Sequence, residues 1–325
     1  MSGGRPKVSI VVPTLNAGPD LEELLDAISA QEADFGVEVL IVDSGSTDGT
    51  RELARRHGAS VHRISRETFN HGGTRNRGIA LAAGDYVALT VQDAVPLDRR
   101  WLATMVEELE RDERVAGVYG RQVPRPDCRA VTRAVVNGRM TASPDRREQT
   151  TDSVDGYGSL SPIERRELAV FDNVNSCVRR SVWELIPFDE AEFAEDLRWG
   201  KKAIEAGYTL VYEPRAAVLH SHERGAMYDL RRHYVDQVAL RELFGVEPVS
   251  SVRGLALAIV ASARRHYRLL RRQQSDGRAS RLVLAALGHA VPTQIGGYLA
   301  AREPALRRLS PRAFGSMHRA LSRGT

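Results

Sequence analysis

The sequence predicts an α/β protein, a mostly parallel sheet flanked by helices, followed by a helical C-terminal extension. Three observations carry this reading. Two apolar runs, Val8–Val12 and Val37–Val42, each spill into a polar loop, PTLN at 13–16 and DSGSTDGT at 43–50. Strand ends of that kind receive ligands in open parallel sheets. Strand and helix patterns then alternate to about residue 120, and from residue 226 helical patterns follow one another without strands.

The elements follow in order. After the strand Val8–Val12, Asp20–Gln31 reads as a helix with Leu21, Leu24, Leu25 and Ile28 on one face. Val37–Val42 is a buried strand; Asp48–His57 is helical, with Gly58 as its stop. Ser60–Ile64 is a short strand, Thr74–Ala83 a helix ended by Gly84, and Tyr86–Val91 a further buried strand. A helix at Arg99–Arg111 leads to a strand at Val115–Tyr119. Between about 121 and 170 the pattern weakens, and SVDGYGSL reads as a flexible loop, long enough for a lid or an acceptor loop. Periodicity resumes at Ser181–Ile186, then a helix at Ala194–Glu205 capped by Gly207, and a strand at Thr209–Tyr212. Residues 226–243, 252–272, 280–290 and 298–309 are helical in pattern.

A chain of 325 residues, 42% apolar and 27% charged, has the composition of an ordinary globular protein of one or two domains. Cys128 and Cys177 have no CxxC partner, so reduced cytosolic thiols are expected rather than a zinc site or a disulfide. The first residues lack the apolar core of a signal peptide. The net charge of +4 hides an asymmetry. Residues 250–325 hold 14 Arg, no Lys and two acids, a net of +12, and the remainder carries 32 basic and 40 acidic residues, a net of −8. A cationic tail on an acidic body predicts attraction to an anionic membrane surface. RNA is the competing partner, but the tail has only Tyr267, Tyr298 and Phe314 for base stacking, so the membrane is expected and not nucleic acid. The acid-free and Arg-free span from Leu282 to Ala301 contains His289, Pro292, Thr293, Gln294 and three glycines. It is too polar and broken for a membrane span, and Arg-flanked amphipathic segments lying on a membrane are expected instead.

The chemistry gathers at loops. Pro13, Thr14 and Asn16 offer backbone groups, a hydroxyl and an amide at a strand's end, which serve a turn equally well. Asp43 can accept from a base N–H or a ribose hydroxyl, since Ser46 and Asp48 are nearer caps for the following helix. In FNHGGTRNRG two glycines precede a helix whose N-terminus suits phosphate. Arg75 and Asn76 in its first turn can add charge-assisted contacts to a diphosphate, while His71 is either a contact or loop packing. Neither GxxxxGKS/T nor a GxGxxG after the first strand is present, which argues against a P-loop and a dinucleotide site. Gln92 and Asp93 follow the strand Tyr86–Val91, and Asp93 is a reasonable ligand for a hard cation. Glu195 and Asp196 open a helix, where acids are favoured by the dipole alone. LHSH further on adds His220 and His222, which at i, i+2 on a strand point the same way and suit a metal or a phosphate.

The ordered set VSIVVPTLN, IVDSGSTDGT, GGTRNRG, QDAVP and AEDLRWG resembles the family 2 glycosyltransferases of GT-A fold, over roughly residues 7–225. The resemblance implies a Rossmann-like catalytic domain at 1–225, with a donor-nucleotide half at about 7–120 and an acceptor half at about 121–225. A basic, membrane-associating helical extension follows at 226–325. It implies that Asp43 contacts the base, within a donor site of Pro13, Thr14, Asn16, Asp43, Arg75, Asn76, Gln92 and Asp93, and that Asp196 is the catalytic base. It implies a divalent cation, Mg2+ or Mn2+, at Asp93 with His222, although Thr90 and Gln92 stand where the common D-x-D pattern has acids. Asn173, Asn175, Glu195 and Trp199 are expected to shape the sugar or acceptor pocket, a buried structural role being the alternative for the asparagines.

HGGTRNRG together with the QDA-P ending is similar to the bacterial rhamnosyltransferase-like branch, which implies dTDP-L-rhamnose as donor and a polysaccharide or lipid-linked saccharide as acceptor. A cytoplasmic enzyme on the inner face of the membrane is then expected. Two other classes stay open. One is a sugar nucleotidyltransferase, disfavoured because PTLNAG has no basic residue. The other is a noncatalytic membrane-associated scaffold, disfavoured by the intact Asp43, Asp93 and Asp196.

Overall fold

The computed structural model describes residues 6–151, 154–191, 193–247, 249–273 and 279–322. Their elements in chain order are β1 (Val8–Thr14), α1 (Gly18–Ser29), β2 (Val37–Asp43), α2 (Thr50–Arg56), β3 (Ser60–Arg63), α3 (His71–Leu81), β4 (Tyr86–Thr90), β5 (Val95–Pro96) and α4 (Trp101–Glu110). Next come β6 (Val115–Val123), α5 (Ala130–Asn137), β7 (Arg147–Gln149), α6 (Val154–Ser159), α7 (Pro162–Ala169), β8 (Asn175–Arg179), α8 (Arg180–Leu185), α9 (Glu195–Glu205) and β9 (Thr209–Leu219). Four helices close the chain: α10 (Ala226–Phe244), α11 (Val252–Gln273), α12 (Ala279–Leu309) and α13 (Pro311–Ser322). The chain divides into two compact units, Met1–Val123 with Arg139–His220, and Pro124–Gly138 with Ser221–Thr325. Residues 124–138 therefore belong with the C-terminal helices and not with the acceptor half in which the sequence reading puts them.

In the first unit the strands run in the order β3-β2-β1-β4-β8-β6-β9-β5, with β7 also on β9. β1 pairs parallel with both β2 and β4, so the ends of these strands open on the same edge. The sheet is mixed: β1, β2, β3, β4, β6 and β9 run in one direction, and β8 lies antiparallel between β4 and β6. Sequence reading misses this strand. Its Asn175 and Ser176 are fully buried polar residues, and their side chains bond within the protein.

Alternation along β1 sets the two layers. Val8, Ile10 and Val12 join α1 and α4 in one core cluster, whereas Val11 joins Ile79 of α3 and Trp199 of α9 in the other. Leu21, Leu24, Leu25 and Ile28 of α1 are all buried as their spacing predicts, each worth roughly 1.5–3 kcal/mol. Gly78 lets α3 lie close on β1, since a Cβ there would sit 2.3 Å from Val11 Cγ1. The weak region also holds structure. Ser161 and Glu164 form a capping box with Pro162 in the first turn of α7. Residues 154–159 are helical rather than a flexible loop, Ser153 of that stretch lying outside the described residues.

The second unit contains α5 and α10 to α13. Its α12 is one helix of 31 residues, not the two segments expected. Pro292 removes a backbone donor within the helix, and next to it Thr293 Oγ1 donates to the His289 carbonyl at 2.9 Å. Gly296 and Gly297 pack on α10, where a Cβ at 296 would meet the Leu230 carbonyl at 2.3 Å. The glycines that look like helix breakers in the sequence are contact points between helices. By length and composition α12 could cross a membrane, yet its Ala290, Thr293, Gly296 and Ala300 are buried.

Candidate active site

The carboxyl ends of β1 and β2 are laced together. Thr14 Oγ1 donates to Asp43 Oδ1 at 3.2 Å, and Ser44 N–H donates to the Thr14 carbonyl at 3.0 Å. Asn16 N–H donates to Ser46 Oγ at 2.8 Å, and Thr47 N–H to Asn16 Oδ1 at 2.9 Å. The Ala17 and Gly18 N–H groups reach Thr50 Oγ1 and Asp48 Oδ2. Asn16 sits at φ 47°, a left-handed conformation that asparagine tolerates. Pro13 lies opposite Val42 in the β1–β2 register. Asp43 is fully buried; its Oδ2 receives the N–H groups of Gly45 and Ser46, with Arg51 Nε 3.9 Å away. Helix α2 begins at Thr50 after Gly49, and Asp48 Oδ1 receives the Thr50 N–H and hydroxyl.

Structure explains the incomplete acidic motif after β4. Gln92 clamps the backbone of Leu15, its Oε1 accepting the N–H at 2.9 Å and its Nε2 donating to the carbonyl at 3.4 Å. A carboxylate could only accept. Thr90 is fully buried and donates to the Val174 carbonyl, a place where an acid would be desolvated. Asp93 faces His220, with Oδ1 3.8 Å from Nε2. His220 Nδ1 lies 3.1 Å from Gln122 Oε1, and Gln122 Nε2 donates to Asp172 Oδ2 at 2.5 Å. His222 is exposed and lies two residues beyond His220, in the second unit.

The segment FNHGGTRNRG is helical from His71, so its glycines lie inside the first turn of α3 rather than before it. Asn70 caps the helix by accepting from Gly73 N–H and ties it to the Ala191 carbonyl. Gly72 is required by contact: a Cβ there would stand 1.9 Å from the Asp189 carbonyl oxygen. Arg75 is buried and pairs with Glu195 Oε1 at 2.8 Å. Asn76 donates to the Phe188 carbonyl and accepts from Trp183 Nε1 and Phe188 N–H. Arg75 Nη1 and both polar atoms of the Asn76 amide bond within the protein and brace α3, while Arg75 Nε has no such partner among the described residues.

Helix α9 opens from Ala194, which holds φ 59° without being glycine, a conformation that costs about 1–2 kcal/mol. It presents Glu195 and Asp196 in the first turn. Burial pushes the Glu195 carboxyl up, but the Arg75 charge beside it, with His71 and the Asn173 amide, holds it below the usual range. Asp196 is half-buried. Desolvation first, then the charges of Glu195 and Asp172, push its carboxyl up to about 8. Two adjacent carboxyls are thus driven apart, the pattern that separates a permanent charge from a proton acceptor.

Of the expected pocket residues, Asn173 and Glu195 meet, whereas Asn175 and Trp199 do not join them. Asn175 accepts from Trp101 Nε1 and donates to the Ala216 and Arg121 carbonyls. Trp199 is fully buried between Phe171 and Phe188, with Nε1 on the Ile186 carbonyl. Both are core residues. Sequence reading misses Gln122 and Asp172; the available signal is a glutamine placed inside an apolar strand and an Asp beside Asn173.

Residues 9–169 match the family model described as Glycosyl transferase family 2. The chain is 30% identical over 233 residues to O-antigen chain rhamnosyltransferase WbaN of Salmonella anatum, covering 70% of each chain. It is 31% identical to O-antigen chain rhamnosyltransferase RfbN of Salmonella typhimurium, again over 70% of each. The solved structure of mannosyltransferase PcManGT from Pyrobaculum calidifontis, in complex with GDP-Man and Mn2+, is 22% identical with a TM-score of 0.52, covering 98% of this chain and 86% of that one.

Proposed function

Since this chain belongs to glycosyltransferase family 2 and is a nucleotide-sugar-dependent glycosyltransferase, we propose that it inverts the anomeric centre as it transfers L-rhamnose from dTDP-rhamnose. The acceptor is a hydroxyl of a polysaccharide or lipid-linked saccharide. The single observation that carries the mechanistic part is the pair of adjacent carboxyls in the first turn of α9, Glu195 held by Arg75 at 2.8 Å and Asp196 left beside it with its carboxyl pushed up by burial and by that neighbouring charge. The donor sugar is supported by the two O-antigen rhamnosyltransferase relatives and by HGGTRNRG at 71–78 with the QDA-P ending.

Asp196 removes the acceptor proton as the hydroxyl oxygen attacks the anomeric carbon opposite the departing nucleoside diphosphate. A base with a pKa near the operating pH combines ionised fraction with proton affinity, so a value of about 8 suits the task. One carboxylate suffices, because a departing diphosphate does not need the protonation that a glycosidase's second carboxyl gives its leaving group. Glu195 does not touch the reacting atoms in this reading; with Arg75 and Asn173 it sets the charge beside the base. Asp43, fixed by Thr14 and the 45–46 amides, takes the nucleotide base, and Pro13, Thr14, Asn16 and Gln92 frame that end of the site.

A divalent cation fits the residues present. Asp93 and His220 offer a carboxylate and an imidazole, a donor pair that suits Mn2+, and His220 is held from behind by Gln122. When bound there, a cation would neutralise charge on the leaving diphosphate.

The C-terminal unit supports attachment to an anionic membrane. On α11, Leu257 and Val260 are exposed and continue into exposed Arg264, Arg265, Arg268, Arg271 and Arg272, spaced along one face. Apolar insertion and charge attraction are thus available on one helix.

The test offers purified protein a panel of dTDP-, UDP- and GDP-sugars with and without Mn2+, and measures nucleoside diphosphate release in the presence of saccharide acceptors. Turnover of dTDP-rhamnose is expected. Exclusive use of a UDP-hexose would overturn the donor assignment while leaving the family intact.

A further inference from the structure

Gln122 lies on β6, buried, outside every motif that marks the site. Its side-chain amide stands between two groups of opposite hydrogen-bonding character. On one side is the Asp172 carboxylate, whose Oδ1 also accepts the Val174 N–H at 3.0 Å. On the other is the His220 ring, whose own N–H on the backbone is anchored to the Val123 carbonyl at 2.9 Å. The 2.5 Å contact between Gln122 Nε2 and Asp172 Oδ2 fixes which way the amide faces, because a carboxylate takes a hydrogen bond and the amide nitrogen gives one. Gln122 Oε1 is then the atom presented to His220 Nδ1 at 3.1 Å, and a carbonyl oxygen can only accept. Nδ1 therefore carries a proton, and when the ring is neutral Nε2, on the side of Asp93, is the nitrogen left with a lone pair.

We propose that Gln122 is a positioning residue that holds His220 as the Nδ1–H tautomer, so that Nε2 and the Asp93 carboxylate converge as ligands for a divalent cation. This rests on the reading of Asp93 and His220 as cation ligands. An amide of this length is the side chain that can donate to Asp172 and accept from His220 at once. Glutamate at 122 would set a carboxylate against Asp172, leucine would remove both bonds, and asparagine is one methylene short. The role ties the cation end of the site to Asp172, whose charge also bears on Asp196. One buried amide thereby serves both ends.

Two measurements on the full chain test it. Long-range 1H–15N spectra of the metal-free, histidine-labelled protein, with the His220 signals identified by their loss in His220→Ala, are expected to show the Nδ1–H tautomer. An Nε2–H tautomer in the unsubstituted protein would overturn the proposal, whatever any variant does. Separately, Mn2+ alone is titrated and free Mn2+ read by electron paramagnetic resonance. Gln122→Leu and Gln122→Glu are expected to weaken Mn2+ binding roughly 10- to 100-fold, with thermal midpoints confirming that both variants fold. Wild-type affinity in a folded Gln122→Leu or Gln122→Glu protein would refute the role. If instead Asp93→Asn and His220→Ala leave Mn2+ affinity unchanged, the cation reading itself falls. In that case the tautomer spectrum still decides whether Gln122 sets the ring.

Discussion

Replacing Glu195 by glutamine separates the electrostatic role of that residue from its packing. Glutamine keeps the shape and an oxygen for Arg75, whose Nη1 now bonds Glu195 Oε1 at 2.8 Å, but it removes a negative charge from beside Asp196. At an effective dielectric of about 20, two like charges roughly 6 Å apart repel by about 3 kcal/mol. That amounts to about a hundredfold in the Asp196 ionisation constant. In the unsubstituted enzyme, kcat/KM should fall below pH 8 as Asp196, with its carboxyl at about 8, takes up a proton. In Glu195→Gln the same limb should move to lower pH, on a lower plateau because a weaker base accepts the acceptor proton less well. The assay is nucleoside diphosphate release at subsaturating donor between pH 5 and 9. A limb that stays at pH 8, or moves upward, would refute the idea that Glu195 sets the base. The stability consequence has a definite sign. Because the folded state raises the Asp196 carboxyl above its unfolded value, protonation favours folding, and stability from this group declines as pH rises between about 4 and 8. Asp196→Asn should therefore be catalytically dead and yet melt a few degrees above the parent at pH 8, with the gap closing toward pH 4.

Two other perturbations probe the donor end and the second unit. Gln92→Glu restores an acid to the strand end but loses the donor to the Leu15 carbonyl; it should lower stability by about 1 kcal/mol and weaken dTDP binding, read by thermal melts and calorimetry. Tighter Mn2+ binding with unchanged dTDP affinity would show that the clamp on Leu15 is dispensable. Charge reversal of Arg264, Arg265 and Arg268 to glutamate should abolish sedimentation with phosphatidylglycerol vesicles while leaving transfer to a soluble acceptor intact, and raised salt should mimic it; retained sedimentation would sink the membrane assignment.

How much the sequence discloses depends on what kind of interaction a residue makes. Asp43 and Asp196 are readable because each follows an apolar strand or opens an amphipathic helix, patterns that are local. The α9 face is also periodic: Glu195, Trp199, Gly200, Ala203 and Ile204 share the buried side. Taken literally, that spacing would have sent Trp199 into the core rather than to a pocket. The packing of Arg75 and Asn76 is not legible, because an exposed arginine and a buried, paired one look the same in a string of letters. Their partners, Glu195 and the 183–188 segment, lie over a hundred residues away. β8 hides for the same reason, since the buried amide of its Asn175 is satisfied by β6, α4 and β9 and not by neighbours in sequence. Thr90 and Gln92 read as lost acids, and only the bonds to Val174 and Leu15 reveal a requirement.

The lacing between the loops after β1 and β2 has a bearing on how the donor specificity of such an enzyme can change. Asn16, Ala17 and Gly18 bond to Ser46, Thr47, Thr50 and Asp48, so these protein–protein bonds share with the nucleotide the cost of ordering the two loops. Binding energy from the base remains available for orienting the sugar. The same lacing makes the two loops co-dependent. A substitution that reshapes one to fit a different base unpairs a group on the other, so a new nucleotide preference has to arise through paired changes, one on each strand end.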